Sequence, residues 1–173
     1  MKIALIGTHG IGKTTAVLHL ASELKKLSYN AGIVKEVARG CPLPINENAT
    51  KKSQEWMFLK HCLNEIEEEV HYDIVISDRS ILDVYAYYYR LFGKHEGMEG
   101  FVREKMKEYD LLFKMPLNTD YLKKDKFRST NKQFQLDIEN VINKLIPHFK
   151  GEVHEFKSLE ETLSVIKEKI TVK

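Results

Sequence analysis

Residues 6–15 read IGTHGIGKTT, and this stretch constrains the chain more than any other. Gly7, Gly12, Lys13 and Thr14 fit G-x-x-x-x-G-K-[ST], a pattern that works only between a strand and a helix. At a usual glycine content of ~7%, a chance match in a chain this long is on the order of one in a hundred. The flanks sharpen the reading. Ile3–Ile6 is an apolar run suited to a buried parallel strand. After the loop, Val17, Leu20, Ala21, Leu24 and Leu27 repeat at the spacing of one helix face.

Such a loop has a physical task. Its glycines let the backbone curl around an anion with N–H groups inward, and the helix start adds its positive dipole end. Gly7, Thr8, His9, Gly10, Ile11, Gly12, Lys13, Thr14 and Thr15 are therefore expected to hold the phosphates of ATP or GTP. Lys13 would reach the β- and γ-phosphates, and the Thr14 hydroxyl would ligate Mg²⁺. His9 occupies a variable position of the pattern and receives no catalytic role. The plain alternative is a glycine-rich turn that only starts a helix.

The 173 residues suit a single domain with one substantial core, residues 1–173. With 43% apolar and 30% charged residues, the composition is that of a soluble globular protein. A net charge of +2 gives no sign of a surface that coats nucleic acid. Cys41 and Cys62 lack metal-ligand spacing and read as ordinary thiols of a reducing compartment. The apolar runs are too short to span a bilayer, and the strand and loop leave no room for a signal peptide. The expectation is a cytoplasmic protein with no membrane and no nucleic-acid partner.

Strand-like runs recur at Ile3–Ile6, Gly32–Lys35, Ile74–Ser77, Leu111–Met115 and Val153–Phe156. Helical stripes separate them. One comprises Trp56, Leu59, Leu63, Ile66 and Val70; another Phe134, Ile138, Val141, Leu145 and Phe149; a third Leu159, Leu163, Ile166 and Ile170. Ser158 and Glu161 have capping-box spacing before the last of these. Such alternation predicts an α/β fold whose parallel sheet is covered by helices on both faces. A ligand would lie beyond the carboxyl ends of the strands.

The polar residues at those ends then become candidates. Asp78 closes the run Ile74–Ser77 as a carboxylate that holds Mg²⁺ directly or through water, or else caps the helix near Ser80. Glu36 follows the second strand as a general base for an acceptor hydroxyl, or as a surface acid. Arg39 and Arg79 either meet phosphate or the acceptor, or pair with these acids. A basic segment, NTDYLKKDKFRSTNK (118–132), has the character of a lid over about 117–132, with Arg128 as its catalytic guanidinium. Gly40–Asn48, broken by two prolines, and the glycine-rich Gly93–Gly100 look like substrate loops. The tyrosines of DVYAYYYRLF (83–92) include Tyr85, Tyr89 and Phe92 at helical spacing, mainly for packing, with one free to stack on a ring.

Together these residues resemble the nucleoside and nucleotide kinase branch of the P-loop proteins, in particular AAA-type domains related to nicotinamide riboside kinase. The shared marks are the N-terminal loop, E-x-x-R from Glu36 to Arg39, and the Asp78–Arg79 pair. Deoxynucleoside kinases carry E-R-S where this chain has D-R-S, and thymidylate kinases use Asp there. The resemblance implies a five-stranded parallel sheet with the loop-bearing strand central. It also implies that Gln54 reads an acceptor base and that Arg128 belongs to a lid. It further implies Mg²⁺-dependent phosphoryl transfer from a nucleoside triphosphate to a small nucleoside-like acceptor, with a dimer possible.

Two alternatives stay open: a nucleoside monophosphate kinase, and a regulatory ATPase or GTPase without a small acceptor. The common regulatory GTPase pattern is absent. Asp78 is followed by Arg79, Ser80 and Ile81 in place of D-x-x-G, and LKKD (122–125) lacks the asparagine of N-K-x-D.

Overall fold

The computed structural model describes residues 1–119, 129–149 and 153–171. Five strands, β1 (Lys2–Ile6), β2 (Ala31–Val34), β3 (Ile74–Asp78), β4 (Leu111–Lys114) and β5 (His154–Glu155), pair in the order β2-β3-β1-β4-β5. Every pairing is parallel. The helices are α1 (Lys13–Lys26), α2 (Lys51–His71), α3 (Ile81–Phe92), α4 (Glu96–Lys105), α5 (Lys132–Phe149) and α6 (Leu159–Thr171). The strand feeding the glycine-rich loop is central, as the resemblance implies. Parallel neighbours force each return through a crossover, which places helices on both faces.

Alternation along the strands divides the core in two. Ile3, Leu5, Ile74, Ile76, Leu111 and Phe113 face Val17, Leu20, Leu24 and Ile166 of α1 and α6. Ala4, Ile6 and Leu112 face the other way, toward α2, α3 and α5. The stripes of α5 and α6 pack as expected: Ile138 and Leu145 are buried, and Leu159, Leu163 and Ile170 lie against the core around Ile166. Ser158 Oγ accepts from Glu161 N at 3.1 Å, which caps α6. Leu27 departs from the α1 stripe. It is the residue that ends the helix and is 45% exposed.

The larger departure is α2. Its core-facing side carries Met57, Phe58 and Cys62 together with Ser53, Gln54, His61 and Glu65. The apolar stripe turns outward instead: Leu59, Leu63, Ile66 and Val70 are 67%, 47%, 51% and 75% exposed. Among these buried polar groups, Ser53 and Glu65 have hydrogen-bond partners of their own. Glu65 pairs with Lys2 Nζ at 3.1 Å and accepts from Tyr109 Oη at 2.5 Å. No helix among the described residues is long and apolar enough to cross a membrane.

Candidate active site

The loop after β1 takes a backbone only glycine adopts freely. Gly7 has φ 140°, and a Cβ there would come within 2.6 Å of the Ile11 side chain. Gly12 has φ 90° and serves as N-cap of α1, delivering Lys13 and Thr14 into the first helical turn. Lys13 folds back over the loop, donating to Gly7 O at 2.8 Å and to Thr8 O. Burial, and then the nearby Arg79 guanidinium, lower its ammonium to about 8. Among the described residues this buried cation is held by the Gly7 and Thr8 carbonyls, an arrangement suited to receive an anion. Ile11 and Thr8 are buried, and Thr15 is exposed.

Parallel pairing of β1 with β3 sets Leu5 beside Asp78, at the mouth of the same loop. Asp78 does not cap α3. That cap is Ser80, in a reciprocal box with Asp83. Asp78 Oδ2 instead accepts from Thr14 Oγ1 at 2.5 Å, so the two residues expected to ligate Mg²⁺ are adjacent. Burial raises the Asp78 carboxyl and Glu36 adds to this, with Lys13 and Arg79 acting against both. A buried carboxylate beside a hydroxyl at this glycine-rich loop fits Mg²⁺, which takes one or two protein oxygens and completes its shell with water and phosphate. Among the described residues no cluster of three or more His, Cys, Asp or Glu could hold a metal by itself.

Arg79 sits in the β3–α3 turn at φ 99°, unusual for a non-glycine residue. That backbone turns its guanidinium onto Glu36 Oε1, at 2.9 Å from Nε and 2.6 Å from Nη2. It also lies 5.1 Å from the centre of the Tyr87 ring. Burial pushes the Glu36 carboxyl up, but Arg79, Lys13 and Arg39 hold it at about 2. Arg39 Nε is 4.0 Å from Glu36 Oε2 and lies at the exposed rim.

Two cavities meet here. One is lined by Gly10, Gly12, Lys13, Thr14 and Asp78, and the other by Val37, Arg39, Ile45, Gln54, Met57 and Tyr87; His9, Glu36 and Arg79 line both. Gln54 is buried, and neither its amide oxygen nor its nitrogen has a hydrogen-bond partner among the described residues. His9 reaches the second cavity from the loop, with Nδ1 2.9 Å from Tyr87 Oη.

Some of this was not anticipated. Asp83 Oδ1 accepts from Gly7 N at 2.7 Å, while Oδ2 accepts from Ser80 N and Oγ. Helix α5 clamps the loop: Gln135 Nε2 donates to His9 O at 2.8 Å, and Glu139 Oε2 accepts from Thr8 N at 3.3 Å. The S-x-x-D of Ser80–Asp83 was a visible signal; nothing local marks Gln135 or Glu139. Tyr87, not Tyr85 or Tyr89, is the tyrosine at the cavity. Gly40–Asn48 contributes Asn46 to the cavity wall, but Gly93–Gly100 does not reach it. His95 caps that segment into α4, where Met98 and Val102 bury against the core. Arg128 and most of the expected lid fall in 120–128, outside the described residues.

A family model for an AAA domain matches residues 2–161. The chain belongs to that AAA-domain family. No functionally curated protein matches it. Its fold is similar to that of deoxyadenosine kinase from M. mycoides, solved with the products dCMP and a flexible dCDP. The TM-score is 0.65 at 18% identity, with 100% of each chain covered. The same enzyme with bound dATP gives 0.61 at 18% identity, covering 99% of this chain and 100% of that one. The AAA domain described here thus shares the α/β fold of those structures, with the glycine-rich loop following its central strand.

Proposed function

We propose that this AAA domain transfers the terminal phosphoryl group of a nucleoside triphosphate to a hydroxyl of a small nucleoside-like acceptor. The observation that carries the reading is the pair of adjoining cavities walled jointly by His9, Glu36 and Arg79. A hydroxyl in the second cavity would lie between Glu36 and the phosphate loop. Glu36 keeps Oε2 for that hydroxyl and takes its proton as the new bond to phosphorus forms. Arg79 holds Glu36 in place through Oε1. Lys13 and the loop N–H groups bind the charge of the transferring group. Thr14 and Asp78 would hold Mg²⁺, which when bound neutralises phosphate charge. Gln54 offers a buried donor and acceptor together, a pattern that suits the edge of a heterocyclic base.

A nucleoside monophosphate as acceptor is the second reading. It is supported by the arginines in the cavity, and weakened because Arg79 is already neutralised by Glu36. A regulatory NTPase gains nothing from the second cavity. The deciding experiment presents Mg·ATP with nucleosides, with monophosphates and with no acceptor, and identifies products by mass. A phosphorylated nucleoside is the expected product. Acceptor-independent hydrolysis across the whole panel would overturn the proposal.

A further inference from the structure

Three successive N–H groups carry the turn after β3, and each is held by a different element. Arg79 N donates to Leu5 O of β1 at 3.2 Å, and Ser80 N to Asp83 Oδ2 of α3 at 2.8 Å. Ile81 N opens α3, where the helix has no acceptor for it, and Ile81 is fully buried, so water cannot serve either. Its partner is Tyr109 Oη, at 2.9 Å, from the segment that leads into β4. Tyr109 is itself fixed. Its hydroxyl donates to Glu65 Oε1 at 2.5 Å, Lys2 Nζ stands 5.0 Å from its ring centre, and Lys2 pairs with Glu65 Oε2 at 3.1 Å. Burial and then the Glu65 carboxylate push the phenol well above its ordinary range, so the proton stays on the oxygen. The hydroxyl therefore points its proton at Glu65 and leaves a lone pair for Ile81 N.

On the reading of Glu36 as the base, we infer that Tyr109 is a positioning residue: by holding Ile81 N it keeps the preceding turn in the backbone that lets Arg79 grip Glu36. Arg79 has φ 99°, a conformation that persists in a non-glycine residue only where its surroundings over-determine it. Without the Tyr109 bond the turn loses one of its three anchors, and Ile81 N must move to find another partner. Arg79 lies two residues away and relaxes with it. The fork of Arg79 Nε and Nη2 on Glu36 Oε1 then loosens, and the carboxylate loses its aim at the acceptor hydroxyl. Acceptor chemistry should suffer, while donor binding by Lys13 and the glycine-rich loop should not.

Tyr109→Phe keeps the ring and removes only the hydroxyl. With Mg·ATP and a nucleoside that the wild type phosphorylates, kcat should fall roughly tenfold while triphosphate Kd stays that of the wild type. In a Glu36→Gln background the same change should alter kcat by less than about twofold, because the carboxylate it serves is already gone. Independent losses in the two backgrounds would overturn the inference. Ile142→Val trims the core on the same side of the sheet and should lower the unfolding midpoint with kcat unchanged. An equal loss of kcat there would reduce the effect of Tyr109 to stability and overturn the inference as well. Glu65→Gln loosens the same tie from its far end and should lower kcat in the same direction to a lesser extent, which serves where Tyr109→Phe does not fold. One readout needs no turnover. In the free protein the Arg79 Nε–H resonance should shift in Tyr109→Phe and Glu65→Gln, and stay in place in Ile142→Val. A wild type that phosphorylates no acceptor would sink the transfer reading, whereas an unmoved Arg79 resonance would sink the Tyr109 tie.

Discussion

Glu36 concentrates the chemistry of the proposed site at a single carboxylate. Against its burial, Arg79, Lys13 and Arg39 hold its pKa at about 2, which keeps it ionised at neutral pH and ready to accept a proton, at some cost in basicity. Glu36→Gln retains shape and one acceptor oxygen but removes the basicity. Turnover should fall at least about a hundredfold with triphosphate Kd nearly unchanged, measured by steady-state kinetics and by nucleotide titration. If a monophosphate were the acceptor, Arg39→Ala would be the more damaging change. Lys13 makes a different prediction, through pH. Its free ammonium titrates near 8, below the ordinary 10.5, while a bound triphosphate requires the charged form. Affinity should therefore be level below about pH 8 and fall above it, by up to tenfold per unit. Calorimetric titration across that range tests the slope, and Lys13→Arg should flatten it because arginine keeps its proton.

Among the elements, α5 bears on the loop without touching the proposed reacting groups. Gln135→Ala removes its bond to the His9 carbonyl and with it one tie between the loop and α5. Stability should drop by about 1 kcal/mol in denaturant titrations, and triphosphate Kd should rise a few-fold as the loop loosens. Gln133→Ala, on the exposed side of the same helix, should change neither. The elements also show where sequence was informative. Strand runs, loop and helix order were legible because each depends on local periodicity or on one tightly specified motif. The orientation of α2 was not. Its buried side holds Ser53, Gln54, His61 and Glu65, so hydropathy alone selects the opposite side as the core. The support that Asp83 and α5 lend the loop was equally hidden, since a clamp between residues 9 and 135 leaves no local trace.

The whole molecule carries a second charged centre, at the end of the sheet away from the loop. Lys2, nearly buried, pairs with Glu65 at 3.1 Å, Glu69 at 2.5 Å and Glu108 at 3.1 Å. Burial pushes the Glu65 carboxyl up, but His61, Lys2 and Tyr109 together bring it down to about 2. A depressed carboxylate contributes stability above its unfolded pKa and loses it as pH falls toward the folded one. Unfolding should therefore set in between about pH 4.5 and 2. Glu65→Gln should be less stable at neutral pH and less sensitive to acid, followed by chemical denaturation at several pH values. Removing a buried partner outright, as in Glu65→Ala, should cost about 3–5 kcal/mol.

Sheet order also bears on how the chain is made. Of the five strands in this sheet, β1 comes earliest in the chain yet lies in the middle, and its neighbours are β3 and β4. Until residues 74–78 and 111–114 emerge, that strand has two bare edges and two apolar faces. Loop closure over such distances is slow, and unpaired strand edges invite association with other chains. The Asp78 carboxylate reaches the glycine-rich loop only when β1 and β3 pair. A ribosome-bound chain can therefore spell out the whole glycine-rich motif while Asp78, the acid proposed to face Mg²⁺, is still apart from it, so the proposed site is completed only once β3 has paired.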